Sequence, residues 1–243
     1  MITRDTFNLN AVAASWKPCI QHALQLIDPE YLEKLSHSDD WLPGPEKIFN
    51  AFSLPVDKVN FVLFGESPYP RAQSANGYAF WDAAVTHLWS ESGLSKPVNR
   101  ATSLRNIIKM LLVAEGLLDP KHTGQEDIAK LDKKNLAQTN HEFFTGLLQR
   151  GFLLLNATPV LQIKQVQKDA RAWQPFLKSI LDFLLQKNPH VQFILFGNIA
   201  NMIDALIRHH HAETLYAEHP YNISFITNKK VLDFFAPLHL LVK

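Results

Sequence analysis

The stretch FVLFGESPYP (61–70) decides how this chain folds. Phe61 to Phe64 are apolar in succession rather than in alternation, so other elements must cover both faces of any strand here. That is the pattern of a strand buried inside a parallel sheet. Gly65 stops the run, and an acid, a hydroxyl and two prolines around a tyrosine follow it. Such groups make a rim, not a longer strand.

The same grammar recurs outward from this point. GFLLLNATP (151–159) and VQFILFGNIA (191–200) are short apolar runs that stop at a polar residue or a glycine, and TLYAEHP (214–220) is a shorter fourth run. Helix-like periodicity lies between them, in SLRNIIKMLLVAEG (103–116) and AWQPFLKSILDFLLQ (172–186). Upstream, Trp16, Ile20, Ala23, Leu24 and Ile27 follow helical spacing until Asp28-Pro29, and EKIFNAF (46–52) predicts a short helix. Strands alternating with helices give an α/β fold, a parallel sheet with helices on both faces. The 243 residues, 47% of them hydrophobic, suffice for one core and are expected to form one domain over 1–243. In such sheets ligands gather beyond the carboxyl ends of the strands. FGESPYP, LNATP and His219-Pro220 all fall at that edge.

Composition narrows the function classes. A net charge of +1 carries no global basic signal, so nucleic-acid binding needs a local patch and backbone donors. The lone Cys19 excludes an internal disulfide framework and a cysteine-based zinc cluster, which fits a reducing compartment. The start MITRDTFNLN lacks a basic segment followed by an apolar one, and no apolar run approaches the about 18 residues of a membrane span. The expectation is a soluble cytoplasmic protein, or a nuclear one in a eukaryote, with no membrane partner. The run His209-His210-His211 predicts a solvated loop or a fortuitous metal binder, since consecutive residues do not share a face.

These segments, in this order, resemble the uracil-DNA glycosylase superfamily, and within it family 1. EKIFNAFSLPVDKVNFVLFGESPYP is similar to the run into the family's water-activating motif, usually Gly-Gln-Asp-Pro-Tyr-His. ANGYAFWD (75–82) resembles the segment of the uracil-stacking Phe, here Phe80, and NRATSLRNIIKML (99–111) the loop with the phosphate-gripping serine, here Ser103. GFLLLNATPVLQ (151–162) matches the strand whose Asn reads the base, here Asn156. HPYNISF (219–225) stands where the family has His-Pro-Ser-Pro-Leu-Ser, which puts His219 at the leaving group and Ile223 at the residue that wedges into the duplex. The resemblance implies a three-layer α/β/α sandwich with a short central, mainly parallel four-stranded sheet. It further implies a monomer acting on uracil-containing or abasic DNA. No metal or organic cofactor is implied, because hydrolysis needs only water.

The chemistry accounts for the residue types. A base taken out of the stack needs an aromatic face, such as Phe80. The Asn156 amide can bond N3–H and O4 of uracil together and refuses the reversed pattern of cytosine. His219 can donate to O2 as charge develops there. Tyr69 resembles the tyrosine whose ring blocks the methyl of thymine. Each residue alone has a blander reading: Phe80 as one of 16 phenylalanines in a core, Asn156 as a turn cap, His219 as one of 11 structural histidines, Ile223 as a strand residue.

The departure lies inside the opening motif, where Glu66-Ser67 replaces Gln-Asp and Pro70 replaces His. Poxvirus members also end the motif in Pro, and thermophilic family 4 enzymes begin it with Gly-Glu. The family's carboxylate places the attacking water and offsets the sugar cation; a serine hydroxyl does only the first. Ser67 is therefore the first candidate for placing the water and Glu66 the second, in a slower glycosylase. Two alternatives stay open: excision of another deaminated base, with Glu66 also contacting it, and a catalytically quiet DNA-binding scaffold. Tyr221-Asn222 in place of Ser-Pro predicts a weaker grip on the strand. Arg71, Arg100, Arg105, Lys164, Lys168, Arg171, Lys229 and Lys230 are the candidate phosphate contacts.

Overall fold

The computed structural model describes residues 7–243, so the first six residues of the leader reading lie outside the described part. Helices α1 (Lys17–Leu24) and α2 (Pro29–Ser36) lead to β1 (Phe61–Gly65). Asp28 caps α2 by accepting the Glu30 N–H at 2.9 Å, with Pro29 in the first turn, so the expected break is a helix start. A small hairpin of β2 (Trp89–Ser90) and β3 (Gly93–Leu94) follows, then α3 (Lys96–Arg100), α4 (Thr102–Ala114), α5 (Gln125–Ala129) and α6 (Asn140–Gln149). The remainder runs β4 (Phe152–Asn156), α7 (Val166–Lys187), β5 (Gln192–Phe196), α8 (Ile199–Ile207), β6 (Thr214–Ala217) and α9 (Lys229–Phe235).

The main sheet has the order β4-β1-β5-β6, and every pair in it is parallel. Its strands bury alternate residues on opposite faces. Val62, Phe64, Leu153, Leu155, Phe193 and Leu195 pack with α1, α2, α7 and α8, while Leu63, Phe152, Leu154, Ile194 and Phe196 pack with α4, α6 and α9. Apolar runs without alternation thus become two cores and three layers. Parallel pairing brings Gly65, Asn156, Phe196 and Ala217 to one edge.

Two expectations need correction. EKIFNAF does not form a helix; it is a turn followed by a single 3₁₀ turn at Asn50–Ser53. Phe49 and Phe52 both turn into the core there, against Phe176 and Trp16, and the Asn50 amide donates to the Asn76 carbonyl. Tertiary packing has overridden local propensity. Helix α7 begins at Val166, six residues before the apolar periodicity does, because buried Asp169 in its first turn accepts two bonds from Gln162. The histidine run forms an exposed 3₁₀ turn over Arg208–His210, where His210 lies 3.2 Å from Asp182.

Candidate active site

The floor of the site is set by register. Gly65 and Asn156 are direct partners at the ends of β1 and β4. Asn156 is only 5% exposed, yet among the described residues its amide has no hydrogen-bond partner. The amide faces the cleft, where a ligand can pair it. Gly65 makes room for it: a Cβ there would stand 2.5 Å from Asn156 Oδ1 and 3.0 Å from the Ala79 methyl. Beyond the strands, Ala157 N–H donates to Gly65 and Thr158 N–H to Glu66, so the opening motif stays stapled to β4 as it turns outward.

Phe80 sits beside this amide with φ of +61°, a left-handed conformation that a bulky residue rarely takes. Strain of this kind costs about 1–3 kcal/mol and persists only where neighbours enforce it. Ala79 N–H donates to Leu154 on β4, and the Tyr69 hydroxyl donates to the Phe80 carbonyl at 3.1 Å. Burial pushes the Tyr69 phenol well above its ordinary range, so it remains a donor.

His219 follows β6. Its Nδ1 accepts the Tyr221 N–H at 3.1 Å, which leaves the proton of a neutral ring on Nε2. Burial lowers its pKa below the ordinary 6.5, against an opposing pull from the Glu66 charge. The ring lies 6.3 Å from Phe80, tilted by 34°. Gly197 supports it from beneath: φ is +71° there, and a Cβ would stand 2.9 Å from His219 Cβ. The loop that carries His219 is anchored by buried Asn106 of α4, whose amide donates to the Pro220 carbonyl at 2.7 Å.

Gly65, Phe80, Asn156, Gly197 and His219 line one cleft of about 1000 Å³, which also receives Glu66, Ser67, Tyr69 and Ser103. Among the described residues, neither the Glu66 carboxylate nor the Ser67 hydroxyl bonds to another protein side chain, so both remain available at the mouth. Ser103 lies in the first turn of α4, which has no side-chain cap and keeps its first N–H groups open to an anion. Tyr221 and Ile223 stand outside, 69% and 80% exposed; Ile223 opens a 3₁₀ turn and is not a strand residue. Arg100 ends α3 and Lys164 lies before α7, both exposed and neither lining the cleft.

Four cations expected to contact phosphate have partners within the protein, among them Lys168, whose ammonium donates to the Gln165 side-chain carbonyl at 3.3 Å. Arg71 pairs with buried Asp82 at 3.1 Å, Arg105 donates to the Asn99 carbonyl and the Asn106 amide, and Lys229 pairs with Asp233. Sequence reasoning also missed Asn106, Gly197, Asn198 and Glu218, the last three of which line the cleft. A signal existed for three of them. Asn106 is a polar residue on the apolar face of its helix, and Gly197-Asn198 ends a buried strand just as Gly65-Glu66 does.

The cleft brings together a side-chain amide, an aromatic ring and an imidazole beside an acid and a hydroxyl, a set whose chemistry suits a planar heterocycle. That defines the class: base-excising N-glycosyl hydrolases that work on a flipped nucleotide. No family model matches the chain. It is similar to wild-type UNG from Nitratifractor salsuginis, with a TM-score of 0.92 and 39% identity over 99% of this chain and 96% of that one. Uracil-DNA glycosylase from Amoebophilus asiaticus is 28% identical over 218 residues, 86% of this chain and 84% of that protein. The mimivirus uracil-DNA glycosylase shares the fold, with a TM-score of 0.58 at 17% identity over 88% of this chain and 72% of that one. The chain belongs to the uracil-DNA glycosylase family.

Proposed function

We propose that this chain removes uracil from DNA by hydrolysis at the cleft, with Ser67 placing the water and His219 receiving the charge of the leaving base. As a family member it is an N-glycosyl hydrolase. Water attacks C1′, the C1′–N1 bond breaks, and its electron pair leaves with the pyrimidine as an anion; the water gives up one proton to solvent, the pyrimidine anion takes one from solvent, and the products are uracil and an abasic site. The Nε2–H of neutral His219 donates to O2 as negative charge collects there. Phe80 stacks the flipped ring, and Asn156 bonds N3–H and O4. Tyr69 closes the space beside C5 with its ring, while its hydroxyl steadies Phe80. Glu66, near enough to act on the charge of His219, supplies negative charge at the mouth against the developing sugar cation. Ser103 at the wall of the cleft and Arg100 outside it contact phosphate, and Tyr221 and Ile223 meet the duplex.

The observation that carries this reading is the buried Asn156 amide, held without a protein partner beside Gly65. We read residues 1–243 as one domain, monomeric and cytoplasmic or nuclear; no described helix is long and apolar enough to cross a membrane. The test is strand breakage by alkali after incubation with oligonucleotides holding a single U, T, hypoxanthine or xanthine, paired and single-stranded. Breaks at U that vanish in Asn156→Ala are expected. Breaks at hypoxanthine or xanthine in place of U would transfer the reading to another deaminated base. No breaks at any base, with binding to abasic DNA retained, would leave a DNA-binding homologue without turnover.

A further inference from the structure

We propose that residues 161–166 and the start of α7 form a second surface that grips DNA. Ile163 is its apolar tip, and Lys164, Lys168 and Arg171 meet the phosphates of the strand leaving the base cleft. This rests on the reading of the cleft as a base pocket.

Ile163 is 70% exposed, an unusual position for a large aliphatic side chain. It borders a shallow basin of about 630 Å³ whose lining includes Lys164, Lys168 and Arg171 and no acidic side chain. None of these three cations has a carboxylate partner among the described residues, unlike Arg71 and Lys229. Val166 borders both this basin and the base cleft, so the two are adjacent. A positively charged surface beside a base pocket, with an apolar tip on it, matches a sugar-phosphate strand together with the base next to an extruded nucleotide.

The tip is held firmly. Leu161 exchanges two backbone bonds with Leu42, at 3.0 and 2.9 Å. Gln162 donates both its backbone N–H and its side-chain amide to buried Asp169, each at 2.8 Å. Asp169 also accepts the Tyr31 hydroxyl at 2.8 Å, and Tyr31 in turn accepts the Trp173 indole N–H. None of these four groups takes part in the proposed chemistry. A loop pinned in this way loses little freedom on binding. It approaches the cleft with α7 from one face of the sheet, whereas Tyr221 and Ile223 come with α4 and α9 from the other. The flipped nucleotide therefore lies between two apolar tips.

The test uses the full chain and two variants at exposed positions, Ile163→Ser and the triple variant Lys164→Gln, Lys168→Gln, Arg171→Gln. Thermal melting first establishes that both are folded. Fluorescence anisotropy then reads Kd for an abasic duplex from about 50 to 200 mM salt, where each lost phosphate contact lowers the logarithmic salt slope by about 0.9. The triple variant is expected to lower that slope by about 2 to 3 and to raise Kd at least tenfold. Ile163→Ser is expected to raise Kd about fivefold at an unaltered slope, the effect of a partly buried aliphatic tip. In both variants, kcat/KM for a uracil duplex should fall relative to that for a uracil-centred trinucleotide, which is too short to reach the basin.

Wild-type values of Kd and slope in both variants, alongside normal uracil release by the unaltered chain, would overturn the second grip and leave the base pocket standing. Equal losses on the trinucleotide and the duplex would overturn it too, by assigning the residues to the chemistry. Weakened binding in the variants of a chain that releases no base would support the grip while removing the proposed reaction.

Discussion

Asn156 on the floor of the cleft is 5% exposed and placed by the pairing of two strands, whereas Ile223 on its rim is 80% exposed and rides on a loop. On the floor, Gly65, Ala79 and Asn156 are in such close contact that a single Cβ would displace the amide. On the rim, side chains reach into solvent and only the backbone beneath is tied, by Asn106 on one side and Asp169 on the other. The two regions answer to different demands. Hydrogen bonds that read a base need placement within a fraction of an ångström, so the floor belongs to the sheet. Contacts with a polyanion tolerate movement, so the rim belongs to loops and long side chains.

If this division is right, substitutions on the floor act on turnover and those on the rim on affinity. The largest effect is expected from Asn156→Ala, a loss of about a thousandfold or more in kcat/KM for uracil release, because the site then loses the group that pairs the base edge. Its melting temperature should not drop, since no protein hydrogen bond is removed. A large loss of stability would show that the amide is structural and would break the comparison.

Next comes His219→Ala, with an expected loss of about 100- to 1000-fold in kcat. The pH profile sharpens this. Burial lowers the pKa of His219, so the neutral ring persists below pH 6.5, and kcat/KM should hold through neutral pH and fall only at more acidic values. A second proton would sit on Nδ1, facing the Tyr221 N–H. A decline that begins above pH 6.5 would contradict the assignment.

Ser67→Ala is expected to cost about tenfold to a hundredfold in kcat, and Glu66→Gln less, if the hydroxyl places the water and the carboxylate acts only through its charge. The reverse order in single-turnover rates would give the water to Glu66. The smallest effect is expected at the rim: Ile223→Ser should raise Kd for abasic duplex about tenfold, with release from a trinucleotide hardly altered. A matching loss in the trinucleotide rate would join the rim to the chemistry.

Much of this could be read before any coordinates. FVLF, FLLLN and QFILF are strands because uninterrupted apolar residues require cover on both faces, and the Asp28-Pro29 break is a helix start because the two residues cap and shape a first turn. EKIFNAF misled because its apolar residues suit a helix as well as they suit the core they enter. The start of α7 was hidden because its first two turns are polar, stabilised by Gln162 and Asp169 and not by an apolar stripe. Among the cations, Arg71, Arg105 and Lys164 look alike in a sequence, and only their neighbours separate paired charges from those left open to a ligand.

What the residues determined by themselves was local: which runs are strands, which end in polar groups, and which side chains carry chemistry suited to a flipped pyrimidine. Tertiary structure decided the register that sets Gly65 opposite Asn156, the strained backbone of Phe80, and the tautomer of His219. It also decided the anchoring of both rim loops, through Asn106 to Pro220 across 114 residues and Tyr31 to Asp169 across 138. The division is physical. Strand and helix patterns repeat every two or about 3.6 residues and can be read within a short window. Register and the choice of a charge's partner depend on residues far apart in the chain, which meet only once the layers have packed.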